Sequence, residues 1–239
     1  MEGNGMIEVE FWDYDDKNEM AEAVAGDIAF IVESAIDARG EALLAFPGGS
    51  TPAPVFEKLA QKKLPWKRVT IIPGDERLVP VDSDLSNVRM IAQAMLPTGA
   101  RVYPIGVEGA EDYVMAGHAA DARLKSLKWP PDLVWLGMGT DGHTASLFPG
   151  PDLDDALNAP KGKLVMGIKP DPMPEGAEVE RVSLTRSAIL QARTIIITIT
   201  GQEKRDLLEQ AIEDGQSSKL PIGRVLAEAE FPIDVHWCP

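Results

Sequence analysis

Cysteine is almost missing from this 239-residue chain: Cys238 stands alone near its carboxyl end. A single thiol excludes an intramolecular disulfide, and a reducing compartment is the simple expectation. Long apolar runs are also absent. The cleanest, TIIITIT over Thr194–Thr200, is far short of the roughly 20 residues that cross a bilayer, and reads as a buried strand. The opening stretch MEGNGMIEVE is acidic and has no hydrophobic centre, so no secretory signal is expected and the cytoplasm is. Basic residues are scarce. There are 23 Lys and Arg against 38 Asp and Glu, a formal net charge of −15. Nucleic acid and anionic membrane both need a basic face, so neither is an expected partner. A small anion needs only a few local positive groups and stays open. The three histidines, His118, His143 and His236, are too far apart in sequence to suggest a chelating set, and no cysteines join them. No G-x-S-x-G elbow marks a serine hydrolase.

What the sequence does have is repeated switching between two periodicities. IEVEFW alternates as a strand does. DDKNEMAEAVAGDIAFIVESAIDARG carries Met20, Val24, Ile28 and Ile31 at helical spacing, begins acidic and stops at Gly40. Strands are then expected at EALLAF, RVTII, VYPI, DLVWLG, KLVMGI, TIIITIT and IDVHW. Helices are expected at PAPVFEKLAQK, SNVRMIAQAML, GAEDYVMAGHAADARLKSLK, RSAILQA, GQEKRDLLEQAIEDG and PIGRVLAEA. Pro149 to Pro160 and Lys169 to Glu178 read as loops. Such βα alternation, with continuous apolar strands, predicts an α/β fold. Its sheet should be mainly parallel and doubly wound, flanked by helices on both faces, in one domain over residues 1–239.

In sheets of this kind, ligands bind beyond the carboxyl ends of the strands. Four polar clusters fall there: PGGSTP after LLAF, PGDER after VTII, GMGTDGHTAS after LVWL, and GQEK after IIITIT. Turn chemistry explains their glycines and hydroxyls. It does not explain Arg77, His143 or Lys204. In the first cluster, Ser50 or Thr51 can cap the next helix, and the Gly-rich turn can present backbone amides to an anion. Lys204 sits near a helix start, where the dipole disfavours a cation by roughly 0.3–1 kcal/mol; an anion shared with the helix start would justify it. Arg181 and Arg186 can add charge. Asp75, Glu76 and Arg77 suit either a surface ion cluster or the orienting of a polyhydroxylated ligand.

Gly137, Gly139 and Gly142 spell G-x-G-x-x-G, yet a dinucleotide loop is not expected. The motif should open a helix, and HTASLF runs into Pro149, Gly150 and Pro151 instead. Asp141 would also repel a pyrophosphate. The glycines are better suited to a tight turn that presents Asp141 and His143 at the sheet edge, with His143 as a base.

Taken in order, GGSTP, GDERLVP with Ser86 and Asn87, LGMGTDGHTASLFP, RVSLT and GQEK resemble the 6-phosphogluconolactonases over about Leu43 to Trp237. Glucosamine-6-phosphate deaminases and ribose-5-phosphate isomerases share the wider superfamily. The resemblance implies hydrolysis of 6-phospho-D-glucono-1,5-lactone to 6-phosphogluconate in the oxidative pentose phosphate pathway, without cofactor or metal, by a monomer or small homo-oligomer. His143 would activate water. Asp141 would orient it or bond a sugar hydroxyl. Arg77 or turn amides near Gly48 would hold the oxyanion, and Asp75 would contact hydroxyls or orient Arg77. Gly48, Gly49, Ser50, Thr51, Arg181 and Lys204 would bind the phosphorylated substrate. The alternatives are a deaminase-like or isomerase-like enzyme and a non-catalytic sugar-phosphate sensor. The sensor would need a DNA-binding module, for which the segment before the first strand is short.

The deaminases carry a glutamate five residues after the corresponding histidine, where this chain has Phe148. A phenyl ring neither accepts nor relays a proton. The purified protein is therefore expected to release no ammonia from glucosamine 6-phosphate; sustained release, lost in His143→Ala, would favour the deaminase alternative.

Overall fold

A computed structural model describes residues 7–106 and 109–239, so Met1 to Met6 of the acidic opening stretch lie outside the described residues. The strands that pair in the central sheet are β1 (Val9–Asp13), β2 (Ala42–Phe46), β3 (Val69–Pro73), β5 (Arg101–Val102), β6 (Leu133–Leu136), β9 (Ile195–Thr200) and β10 (Ile233–Cys238). Their order is β1-β10-β9-β6-β2-β3-β5, and every pairing is parallel. The expected fold class is what the chain adopts.

Alternation along the strands sorts side chains to two faces. Ala42, Leu44 and Phe46 of β2, with Leu133 and Trp135 of β6, pack on one side against α1 (Lys17–Arg39), α2 (Ala53–Ala60) and α3 (Asn87–Met95). Leu43 and Ala45, with Val134 and Leu136, face the other core. There they meet α4 (Tyr113–Leu124), α5 (Leu153–Leu157), α6 (Arg186–Leu190), α7 (Gln202–Asp214) and α8 (Pro221–Leu226). Both faces of the strands are covered, hence their unbroken apolar character. No helix among the described residues is long and apolar enough to cross a membrane.

The departures from expectation are local. Asp75–Arg77 is a strand, β4, rather than a plain turn. It joins β7 (Val165–Ile168) and β8 (Arg181–Leu184) in a small antiparallel sheet of order β4-β8-β7. β5 has only two residues and ends before Tyr103. The Pro149–Pro160 loop contains the single-turn helix α5.

One buried histidine is expected to make the fold acid-sensitive. His236 of β10 is 1% exposed. Its Nδ1 lies 2.9 Å from the Tyr14 hydroxyl, and its Nε2 has no hydrogen-bond partner among the described residues. Burial lowers its pKa to about 4, against the opposing pull of Asp234. Unfolding returns it to about 6.5, so the unfolded chain binds the extra proton. This contribution to stability is complete above pH 6.5 and is lost as pH falls toward 4. It amounts to at most about 3 kcal/mol. Thermal melts from pH 7 to 4.5 should therefore fall less steeply for His236→Gln than for the parent. Parallel curves would show that His236 does not set the acid limb.

Candidate active site

The four polar clusters follow β9, β6, β2 and β3, which are consecutive in the sheet. They surround a cavity of about 250 Å³ whose wall includes Pro47 to Pro52, Asp75, Arg77, Asn87, Gly137 to Gly139, His143, Ala145, Arg181, Thr198 and Lys204. Two larger grooves, of about 920 and 1050 Å³, also open on the molecule, the first sharing Arg77 with this cavity. Neither contains His143 or Lys204, and chemistry rather than volume singles out the smaller one.

The His143 turn is tied to itself. The Gly139 amide donates to the His143 carbonyl at 3.0 Å, and Gly142 donates to Gly139 at 3.0 Å. A Cβ on Gly139 would lie 2.3 Å from the imidazole, so glycine is what lets the ring fold over the turn. Asp141 Oδ1 accepts from the His143 amide at 3.1 Å and sits 2.5 Å from Nδ1 of the same residue. Burial alone would raise the Asp141 pKa, but the bond to His143 and the charge there hold it below the usual aspartate range. Of the two roles open to Asp141, orienting the imidazole matches this geometry. No helix follows the three glycines directly, as expected of a presenting turn.

Asp75, Glu76 and Arg77 are not a surface cluster. Asp75 and Glu76 are 6% and 3% exposed. The Glu76 carboxylate clamps the start of α3, accepting from the Asn87 and Val88 amides at 2.8 and 2.7 Å and from the Ser86 hydroxyl at 3.1 Å. Its pKa is raised by burial, against those backbone bonds. Asn87 is the residue that sequence reasoning noted only as part of a motif. Its Oδ1 accepts from Arg77 Nη1 at 2.6 Å, and its Nδ2 donates to the Asp75 carbonyl at 2.8 Å. Asp75 reaches Arg77 through this amide, and also accepts from the Ser146 hydroxyl at 2.5 Å, which fastens the His143 loop to β4.

The Gly48–Thr51 turn differs from expectation in one respect. Neither Ser50 nor Thr51 caps α2; the N-cap is Pro52, with no side-chain bond. Pro52 has no N–H and cannot need that cap at its own nitrogen. The hydroxyls are thereby left free, and the amides of Gly48, Gly49, Ser50 and Thr51 make no hydrogen bond among the described residues. Lys204, in the first turn of α7, lines the same cavity, and α7 also has no side-chain cap. Arg181 completes the positive wall; its pKa is lowered by burial, with Arg77 adding to that and Asp75 opposing. Arg186 does not reach the cavity. It pairs with Glu228 at 3.0 Å and donates to the Arg224 carbonyl, on the α8 side. Among the described residues, no group of three or more His, Cys, Asp or Glu is placed to hold a metal ion.

Residues 15–237 match the family described as glucosamine-6-phosphate isomerases/6-phosphogluconolactonase. The chain is 39% identical to the 6-phosphogluconolactonase of Rhizobium meliloti strain 1021 over 95% of this chain and 97% of that protein. It is 37% identical to the 6-phosphogluconolactonase of Mesorhizobium japonicum over 95% and 94%. The crystal structure of a 6-phosphogluconolactonase from Shewanella baltica OS155 superimposes with a TM-score of 0.90, at 34% identity, over 98% of this chain and 100% of that one.

The packing of Gly48 gives a test of the Asn87–Arg77 bond. A Cβ there would lie 1.9 Å from Asn87 Oδ1, the atom that holds Arg77. Losing one charge-assisted bond costs about 1.5–3 kcal/mol. Gly48→Ala should therefore lower the unfolding free energy by about 1.5–3 kcal/mol, read by urea denaturation, with α2 and α3 intact by circular dichroism. Parental stability would show that the Asn87–Arg77 bond is not what Gly48 protects.

Proposed function

Because the chain belongs to the glucosamine-6-phosphate isomerase/6-phosphogluconolactonase family, we propose that it hydrolyses 6-phospho-D-glucono-1,5-lactone to 6-phosphogluconate in the oxidative pentose phosphate pathway. Residues 1–239 form one sugar-phosphate-binding catalytic domain in this reading, working in the cytoplasm on a small-molecule substrate. The observation that carries it is His143, paired with Asp141 at 2.5 Å, in the wall of one cavity with an uncapped amide turn, Lys204 and Arg181.

The chemistry follows from that arrangement. A proton on Nδ1 of His143 is donated to Asp141, which leaves the Nε2 lone pair as the base. As water attacks the lactone carbonyl carbon, Nε2 takes its proton, and the carbonyl oxygen becomes an oxyanion. Arg77 and the amide of Gly48 are the donors for that charge. The bond between the carbonyl carbon and the ring oxygen then breaks, and the imidazolium returns its proton to the departing oxygen. Asp141 stabilises the imidazolium between these two steps. The amides and hydroxyls of Gly49, Ser50 and Thr51, with Lys204 and Arg181, hold the phosphate. Asp75 acts on this site through Asn87 and Ser146.

The reaction is followed by generating the lactone with glucose-6-phosphate dehydrogenase and timing its disappearance. His143→Ala should fold normally and lose about 10²–10⁴-fold in kcat, the usual worth of a general base. Lys204→Ala should act chiefly on KM, with a smaller effect on an unphosphorylated lactone. Near-parental turnover without His143 would sink its assignment as base; an equal loss on both lactones would move Lys204 away from the phosphate.

A further inference from the structure

The turn after His143 folds back sharply. Thr144 and Leu147 form an isolated antiparallel bridge, and the Phe148 amide donates to the Ser146 carbonyl at 3.1 Å. Ala145 is held at φ +48°, the only non-glycine residue with positive φ among the described residues. That conformation costs of order 1–3 kcal/mol, and it persists only where the surroundings enforce it. The Ser146 hydroxyl on Asp75, and the Ser146 amide bonded to the Ser183 hydroxyl at 3.1 Å, do so here. The result is that the side chain five residues on returns to the histidine. The Phe148 ring stacks on the His143 imidazole with centroids 4.0 Å apart and planes 23° apart. Phe148 itself is 5% exposed, and the Arg181 guanidinium carbon lies 4.9 Å from its ring centroid.

Resting on the reading of His143 as the base, we propose that Phe148 is a positioning residue for it. The bond from Nδ1 to Asp141 leaves the imidazole free to swing about that contact, since one hydrogen bond fixes a point and not a plane. A ring stacked on its face removes the remaining freedom and holds Nε2 toward the cavity. The phenyl ring also favours the imidazolium over the neutral ring, because its face is the negative part of its quadrupole. The charge effect is larger after the proton has been taken from water than before, and the fixed orientation serves the reacting geometry, so both act on turnover more than on substrate affinity. The other charged groups around this imidazole are Asp141 on its own loop, Asp75 and Arg77 of β4, Arg181 of β8, and Lys204 of α7. Arg181 is anchored independently, by its bond to the Ala177 carbonyl at 3.1 Å, so phosphate binding should outlast the loss of the ring.

The test replaces Phe148 with Leu and with Met, which keep apolar bulk, and with Tyr, which keeps the ring. In the Leu and Met variants kcat should fall about two- to twelvefold, the fold-change to which an aromatic stacking energy converts. KM should stay within about threefold. Phe148→Tyr should retain most of the parental kcat. In the unliganded parent, the imidazole carbon-bound protons of His143, identified by their loss in His143→Ala, should resonate upfield of an unstacked histidine and move downfield in Phe148→Leu. The proposal is overturned by a parental kcat in the Leu or Met variant, by Tyr falling as far as Leu, or by an absence of the upfield shift in the parent. An active His143→Ala removes the base and the role of Phe148 with it. An inactive His143→Ala beside a fully active Phe148→Leu removes the role of Phe148 alone.

Discussion

Parallel pairing of β9, β6, β2 and β3 is the constraint on which the site depends. Neighbouring strands lie about 4.8 Å apart, so four adjacent strand ends fall within roughly 15 Å of one another. Because the four run the same way, all of their following turns leave from one edge. The side of the sheet on which successive strands are added changes between β2 and β6, and the turns after those two strands therefore diverge and leave a crevice between them. The Gly48–Thr51 turn and the His143 turn occupy its two sides. The topology brings the residues of the cavity together.

Electrostatics then separates this crevice from the rest of a strongly acidic molecule. The chain carries −15 overall, yet Arg77, Arg181 and Lys204 share the wall with His143 and a single lining carboxylate, Asp75. Two helices, α2 and α7, begin at this edge without side-chain caps. Helix starts with free amides attract anions, and the neighbouring cations make the same spot attractive at short range. The overall field slows the approach of an anion, but salt screens charges more than about 10 Å away, whereas contacts in the cavity are hardly screened. Binding at such a site is local.

Much of this was legible in the residues. The alternation of periods announced the parallel sheet, because strands covered on both faces must be apolar throughout, as β2 and β3 are. The clusters at strand ends pointed to His143, Arg77 and Lys204, because turn chemistry had no use for them. What escaped is short or buried for polar reasons. β4 has three residues, two of them acidic, and its pairing with β8 depends on partners far away in sequence. Nothing local tells Asp75 and Glu76 that they will be buried. Asn87 looks like a helix-opening residue and is one, yet its amide also joins Asp75 to Arg77. Thr51 and Ser50 have good capping chemistry, but the helix begins one residue later, at a proline.

Arg186 and Arg181 show the same limit from the other direction. They flank one four-residue strand, β8, and its end, so sequence spacing gives them equal standing. The strand decides otherwise. Arg181 is the first residue of β8, paired with Arg77 across the small sheet, and that register points both guanidinium groups into one wall. Arg186 lies beyond the end of the strand, in the first turn of α6, where the chain has turned toward α8 and Glu228. The antiparallel sheet is therefore part of the site as well as of the fold. It sets which arginine faces the cavity, and through Asp75 and Ser146 it holds down the loop that carries the histidine.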